Sequence, residues 1–144
     1  GLPAFSMEEA KSKVEAGSEI IYLGWIMAAQ VKGYKAAAKE YKIKAVCAVG
    51  MERTGTRTEQ IREKTSVPVA IPLFTLQGNF DVKKLRGIYR LMMNLMVKMI
   101  TKKLGAKTDR TQQENEMLEI MLHGGEKVCA ENLGDVINWH KKVQ

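Results

Sequence analysis

The sequence predicts an α/β fold built on a parallel sheet with helices on both faces. Three apolar, β-prone runs carry that prediction: Glu19–Leu23, Ile43–Val49 and Val69–Phe74. Helical stretches separate them, Val31–Tyr41 after the first run and Thr58–Lys64 after the second. Parallel strands need a crossover rather than a hairpin, and strand–helix–strand alternation supplies it. Composition agrees. With 45% apolar and 27% charged residues in 144, the chain suits one globular domain with a sizeable core.

Each element has a local reason. Ser6-Met7-Glu8-Glu9 is a capping box, helix formers continue to Ala16, and Gly17 stops them. Met7, Ala10 and Val14 are the inward side of that helix. Glu19–Leu23 is the first strand. Gly24-Trp25-Ile26-Met27-Ala28 follows as a loop, and Trp, Ile and Met together in a loop imply that they cover something. In Val31–Tyr41 the side chains of Val31, Tyr34, Ala38 and Tyr41 share one side. Ile43–Val49 is the second buried strand, closed by Gly50. Ile61 is the inward residue of Thr58–Lys64. Pro68 and Pro72 restrict pairing of the third strand and place it at an edge or a strand end.

A long helix is predicted from Val82 to Leu104, capped by Asp81 and ended by Gly105 in a left-handed turn. Lys83, Arg86, Arg90, Asn94, Lys98 and Lys102 recur at spacings of three and four and share one face. Apolar residues, many of them Met, cover most of the rest, an arc wider than one core contact requires. Either its neighbours cover this helix, or it docks on a membrane surface or a partner. Charges interrupt it too often for a transmembrane span. After the polar link Thr108–Arg110, Thr111–Leu122 is an amphipathic helix ended by Gly124-Gly125. Glu131 or Asn132 opens a last helix, with Leu133, Val136, Ile137 and Trp139 facing inward.

The net charge is +7 and uneven. Residues 1–104 carry 18 Lys/Arg against 9 Asp/Glu, whereas 105–144 carry 5 against 7. A basic body favours anionic partners. No aromatic-and-basic strand pattern of an RNA binder accompanies it, which argues against nucleic acid. Cys47 lies inside an apolar strand and reads as an inert core thiol. Cys47 and Cys129 show no disulfide framework, and neither has metal-ligand spacing with His123 or His140. No signal peptide is evident, so the expected location is cytoplasmic, with the basic helix adding a place at the membrane periphery.

Ligands of parallel α/β sheets bind outside the carboxyl ends of the strands. Here those ends are Gly24-Trp25-Ile26-Met27, Gly50-Met51-Glu52-Arg53 and Thr75–Asn79. Gly24 and Gly50 directly follow their strands, where a flat ligand could approach the backbone.

Four segments carry a resemblance: EIIYLGWIMAAQVKGY, KAVCAVGM, IPLFTLQGNFDVKKLRGIYRLMMNLMVKMI and ENLGDVINWHKKV. From Glu19 onward the chain resembles the later part of a flavodoxin-like domain. More narrowly, it is similar to the branch that includes the menaquinone-dependent protoporphyrinogen dehydrogenases. The Met-rich helix after the last strand is the narrower marker. The resemblance implies a three-layer sandwich in which the strands present are numbers 3, 4 and 5 of the order 2-1-3-4-5. It also implies FMN over the strand ends and a function in electron transfer or dehydrogenation, linked to protoporphyrinogen or a quinone. The ring-side loops would be Gly24–Met27 and Gly50–Arg53, with Trp25 and Met27 covering the ring and the flavin carrying the chemistry.

The chain departs from that family at its start. The T-x-T-G-x-T phosphate loop, first strand, first helix and second strand have no counterpart, so residues 1–144 read as one N-terminally incomplete domain. Arg53-Thr54-Gly55-Thr56-Arg57-Thr58 has phosphate-loop composition, but it follows a later strand. Glu19–Leu23 would then expose an edge, expected to meet a second copy, a missing N-terminal piece or a rearranged segment. The alternative function is a binding or assembly module that keeps the later half of the fold without flavin.

Overall fold

A computed structural model describes residues Gly1–Gln144. Strands β1 (Glu19–Met27), β3 (Lys42–Gly50) and β4 (Leu73–Gln77) run parallel, and β2 (Gln30–Val31) runs antiparallel beside β1. The result is a mixed four-stranded sheet of order β2-β1-β3-β4. Helix α1 (Met7–Lys13) precedes it, and α2 (Tyr34–Glu40) and α3 (Thr58–Thr65) form the crossovers. Beyond β4 come α4 (Gly87–Gly105), α5 (Gln112–His123) and α6 (Gly134–Val143). Short 3₁₀ turns at Val82–Lys84 and Ala130–Leu133 lead into α4 and α6.

Register decides which face each strand residue takes. Tyr22, Val46 and Leu73 are aligned across the sheet, and so are Leu23, Cys47 and Phe74. Alternation sends these two rows to opposite faces. The first row joins Tyr34 and Ala37 of α2, Ile61 of α3, and Val31, Ala48 and Val67 in a core of nine buried residues. Met7 of α1 packs against it. On the second face Trp139 of α6 packs against Phe74, with ring centroids 6.0 Å apart, but Leu23 stays 65% exposed. The predicted cover of both faces is therefore full on one side and partial on the other.

Several boundaries differ from expectation for local reasons. Residues Gly24–Met27 are not a loop. Trp25 and Ile26 are β-formers, so β1 runs on through them to Met27 and turns back at Ala28-Ala29 into β2. Val31 joins β2, residues 31 to 33 thereby leave the predicted helix, and α2 starts only after Gly33, whose φ is +81°. The third strand lies later than predicted because Pro68 and Pro72 cannot donate to a ladder. Only the carbonyl of Pro72 joins, accepting from Val46 N at 2.8 Å.

The predicted helix Val82–Leu104 is split. Asp81 accepts from Lys83 N at 2.9 Å and caps the 3₁₀ turn rather than the long helix. Leu85 and Arg86 are extended, and α4 begins at Gly87. Gly105 does not make a left-handed end. Arg110 Nη1 instead donates to the carbonyls of Leu104 and Lys107, each at 2.8 Å, where the helix leaves acceptors free.

The strand Glu19–Leu23 is paired on one side only. β3 takes its inner edge, while β2 covers the other side of β1 only at Ile26 and Met27.

Candidate functional site

The carboxyl ends of the parallel strands bring Trp25–Met27, Gly50–Arg53 and Gln77–Asn79 to one rim of the sheet. The hairpin turn beyond Met27 is unusual. Ala28 and Ala29 have φ of +51° and +61°. A two-residue hairpin with both central residues left-handed matches strand twist, and Asn-Gly usually fills it. Alanine there costs about 1–2 kcal/mol per residue, strain of a kind that gathers at ligand-holding segments.

Trp25 stands on this strained arm and is 38% exposed. Its ring meets Tyr89 of α4 edge-to-face, with centroids 6.0 Å apart. Lys32 Nζ lies 5.9 Å from the Tyr89 centroid, within cation–π range. Trp25, Tyr89 and Lys32 thus form an aromatic and basic platform at the rim. Met27 ends β1 beside the turn and is half-buried.

The other predicted site residues have structural partners. Ile26 packs against the main core. A Cβ on Gly24 would come within 2.8 Å of both Tyr22 Cε1 and Val31 Cγ1, and one on Gly50 within 3.0 Å of Ile26 Cδ1. Gly24 is therefore required by the packing around β1 itself, whereas a side chain at Gly50 would press on the tip of Ile26. Met51 packs toward the second core, and its carbonyl accepts from Gln77 Nε2 at 3.1 Å. Glu52 accepts from Arg57 Nη1 at 2.6 Å. Arg53 makes a two-pronged ion pair with Glu116 of α5, through Nε at 3.1 Å and through Nη2. That hydrogen-bonded pair holds the Glu116 carboxyl below the usual carboxylate range and raises the Arg53 guanidinium. The N–H groups of Met51, Glu52 and Arg53 donate to no backbone acceptor. Three successive donors of this kind at a strand end suit an electron-rich ligand edge.

The phosphate-like loop turns its polar groups on the protein. Thr54 Oγ1 accepts from Gln77 N at 3.0 Å and bonds Asn132 Oδ1 at 2.9 Å. Thr56 Oγ1 donates to the Arg53 carbonyl at 2.7 Å, and Thr58 Oγ1 shares a bond with Thr75 Oγ1 at 3.1 Å. Arg57 is held by Glu52 and Gln60. The hydroxyls and Arg57 of this loop are thus engaged within the protein, which does not suit it to hold a phosphate.

Sequence reasoning missed the polar clamp behind the rim. Asn132 Nδ2 donates to the carbonyls of Gln77 at 3.0 Å and Lys127 at 2.8 Å. Asn79 Oδ1 accepts from the N–H groups of Lys127 and Val128. Phe80 and Gly125 form an antiparallel bridge beside them. These contacts fasten residues 125–132 over the end of β4. No periodicity links side chains so far apart in sequence, and only the helix-opening position of Asn132 was visible. Lys32 and Tyr89 were also missed, because their pairing depends on where α4 crosses β1.

No family model, no characterised protein and no solved structure matches this chain. No helix is long and apolar enough to cross a membrane.

Proposed function

We propose that this chain is a flavodoxin-like redox protein whose strand ends hold the ring of FMN. The observation that carries the reading is the 38% exposed Trp25 on its strained arm at the carboxyl end of a parallel sheet, on the same rim as the Met51–Arg53 N–H groups. Bound flavin supplies the electron transfer, or the dehydrogenation of a substrate linked to protoporphyrinogen or a quinone. The residues of the chain orient it: Trp25 offers a face for stacking, Met27 flanks it, and the backbone of Gly50–Arg53 faces its polar edge. Tyr89 fixes the plane of Trp25 from one side.

A titration with FMN and with riboflavin tests this reading. Flavin fluorescence is expected to be quenched on adding the protein and to stay unquenched with Trp25→Ala. Because the phosphate-like loop is occupied by its own hydrogen bonds, riboflavin is expected to bind as tightly as FMN. Unchanged fluorescence and absorbance of both flavins would overturn the proposal. The same polar closure favours the second reading, a binding or assembly module without flavin, which such a result would leave standing.

A further inference from the structure

Helix α4 presents two apolar stripes, and only one has a partner. Met93, Met96, Val97 and Ile100 pack on the small core of Phe80, Ile120 and Met121. Ile88, Leu91, Met92, Leu95 and Met99 lie roughly a third of a turn round the helix and face solvent. Leu91 is 70% exposed and Leu95 61%. No residue of this 19-residue helix is buried. The outer stripe rises about 16 Å along the axis, a length suited to lying on a surface rather than crossing one.

Charge identifies what that surface is. From Val82 to Thr108 the chain carries eight Lys/Arg and no Asp/Glu. Arg86, Arg90, Lys98, Lys102 and Lys103 of that stretch make no ion pair, whereas Lys107 is held by Glu114. At 100° per residue, Lys98 borders the outer stripe on one side and Lys103 on the other, and Lys102 stands in line with it at its C-terminal end. The acidic helix α5 lies against the inner stripe, away from this face.

We infer that the outer face of α4 docks on a bilayer surface rich in anionic lipid. Leu and Met enter the boundary between headgroups and acyl chains, and Lys98, Lys102 and Lys103 meet the lipid phosphates. A second copy fits less well, since two such helices face to face would oppose equal positive charges. Docking would also bring the Trp25–Tyr89 platform close to the bilayer, because Tyr89 belongs to the same helix.

Flotation of the whole chain with vesicles tests the inference. It is expected to float with vesicles of equal parts phosphatidylcholine and phosphatidylglycerol and to be released by added salt. It should stay behind with phosphatidylcholine alone. Replacing Lys98, Lys102 and Lys103 by Gln should weaken binding about a hundredfold, at about fivefold per basic residue. Leu91→Gln with Leu95→Gln should cost about tenfold or more, and the exposure of both positions keeps the fold intact, as circular dichroism would confirm. Failure of the unaltered chain to float, or equal binding to both vesicle types, would overturn the inference. So would an oligomer that becomes monomeric on Leu91→Gln with Leu95→Gln, which would assign the face to a second copy.

Discussion

The sheet half and the helical half of this molecule are held together by different means. Up to β4, nine buried residues from the strands, α2, α3 and their flanks form one contiguous core. Beyond β4 the core contains three, Phe80, Ile120 and Met121, and neither α4 nor α6 buries a single residue. Side-chain and backbone polar contacts take over there: Asn79, Asn132, the Arg53–Glu116 pair and the Phe80–Gly125 bridge. Apolar burial is cooperative over many neighbours, whereas each clamp acts locally. The helical half should therefore open at lower free energy than the sheet.

The sharpest way to break that contrast is to damage the larger core. Ile61 is 4% exposed and joins α3 to the strands. Ile61→Ala should destabilise the protein by about 2–5 kcal/mol. Urea unfolding should show both halves lost in one transition, because the clamps of the helical half attach to the ends of β3 and β4. A sheet signal that outlasts the helical signal in the variant would show instead that the halves fold independently.

The buried thiol of the sheet offers a subtler probe. Burial pushes Cys47 up from its ordinary 9.0 to about 11. A folded-state pKa above the unfolded one stabilises at low pH, and the contribution fades as pH rises from 9 through 11. The loss should reach about 3 kcal/mol. Tyr22, Tyr34 and Tyr41, also raised by burial, add to the alkaline loss. Comparing Cys47→Ala with the parent at both ends of this window isolates the thiol. Equal pH dependence in the two proteins would mean that Cys47 ionises freely. Cys129, exposed in the helical half, should react with thiol reagents in the folded protein while Cys47 does not.

Asn132→Ala tests the clamps directly. It removes two donated bonds and the partner of Thr54 Oγ1. The cost should be about 1–3 kcal/mol, confined to the helical half. Amide exchange should quicken in α6 and the 125–132 segment, with β1 and β3 unchanged. Uniformly faster exchange would show that the two halves share one stability.

The same contrast explains what could be read from the sequence. The three parallel strands and both crossover helices were legible because apolar runs and helical periodicity are local signals. The core position of Ile61 and the breadth of the apolar arc on the Met-rich helix followed from the same patterns, but whether neighbours cover that arc did not. The hairpin was not legible: Ala28-Ala29 lacks the Asn or Gly that announces such a turn, so Trp25–Met27 read as a loop. The role of Gly24 was hidden because Val31 comes back beside it only through the unforeseen hairpin, and that of Gly50 because its neighbour Ile26 lies on another strand. The break at Leu85–Arg86 had no sequence mark beyond Gly87, and the clamp of Asn132 on Gln77 depends wholly on tertiary contact.

The smallest predicted effect compares one motif placed in each half. Ser6 and Glu9 form a capping box on α1, and Thr111 and Glu114 form one on α5. The geometry is nearly the same, with the Glu N–H donating to the hydroxyl at 3.2 Å in both. The surroundings differ. α1 buries Ala10 and adds Met7 at the margin of the sheet core, neither of them among its nine residues, so fraying its first turn leaves that core intact. α5 carries Ile120 and Met121, two of the three core residues of its half. Lys107 also draws the Glu114 carboxyl below its usual range from across the connection to α4. Thr111→Ala should therefore cost about 1 kcal/mol and speed exchange along both α4 and α5. Ser6→Ala should cost less, with faster exchange limited to α1. Equal costs from the two substitutions would mean that α5 is anchored by its polar contacts alone, and that the small core adds little to the helical half.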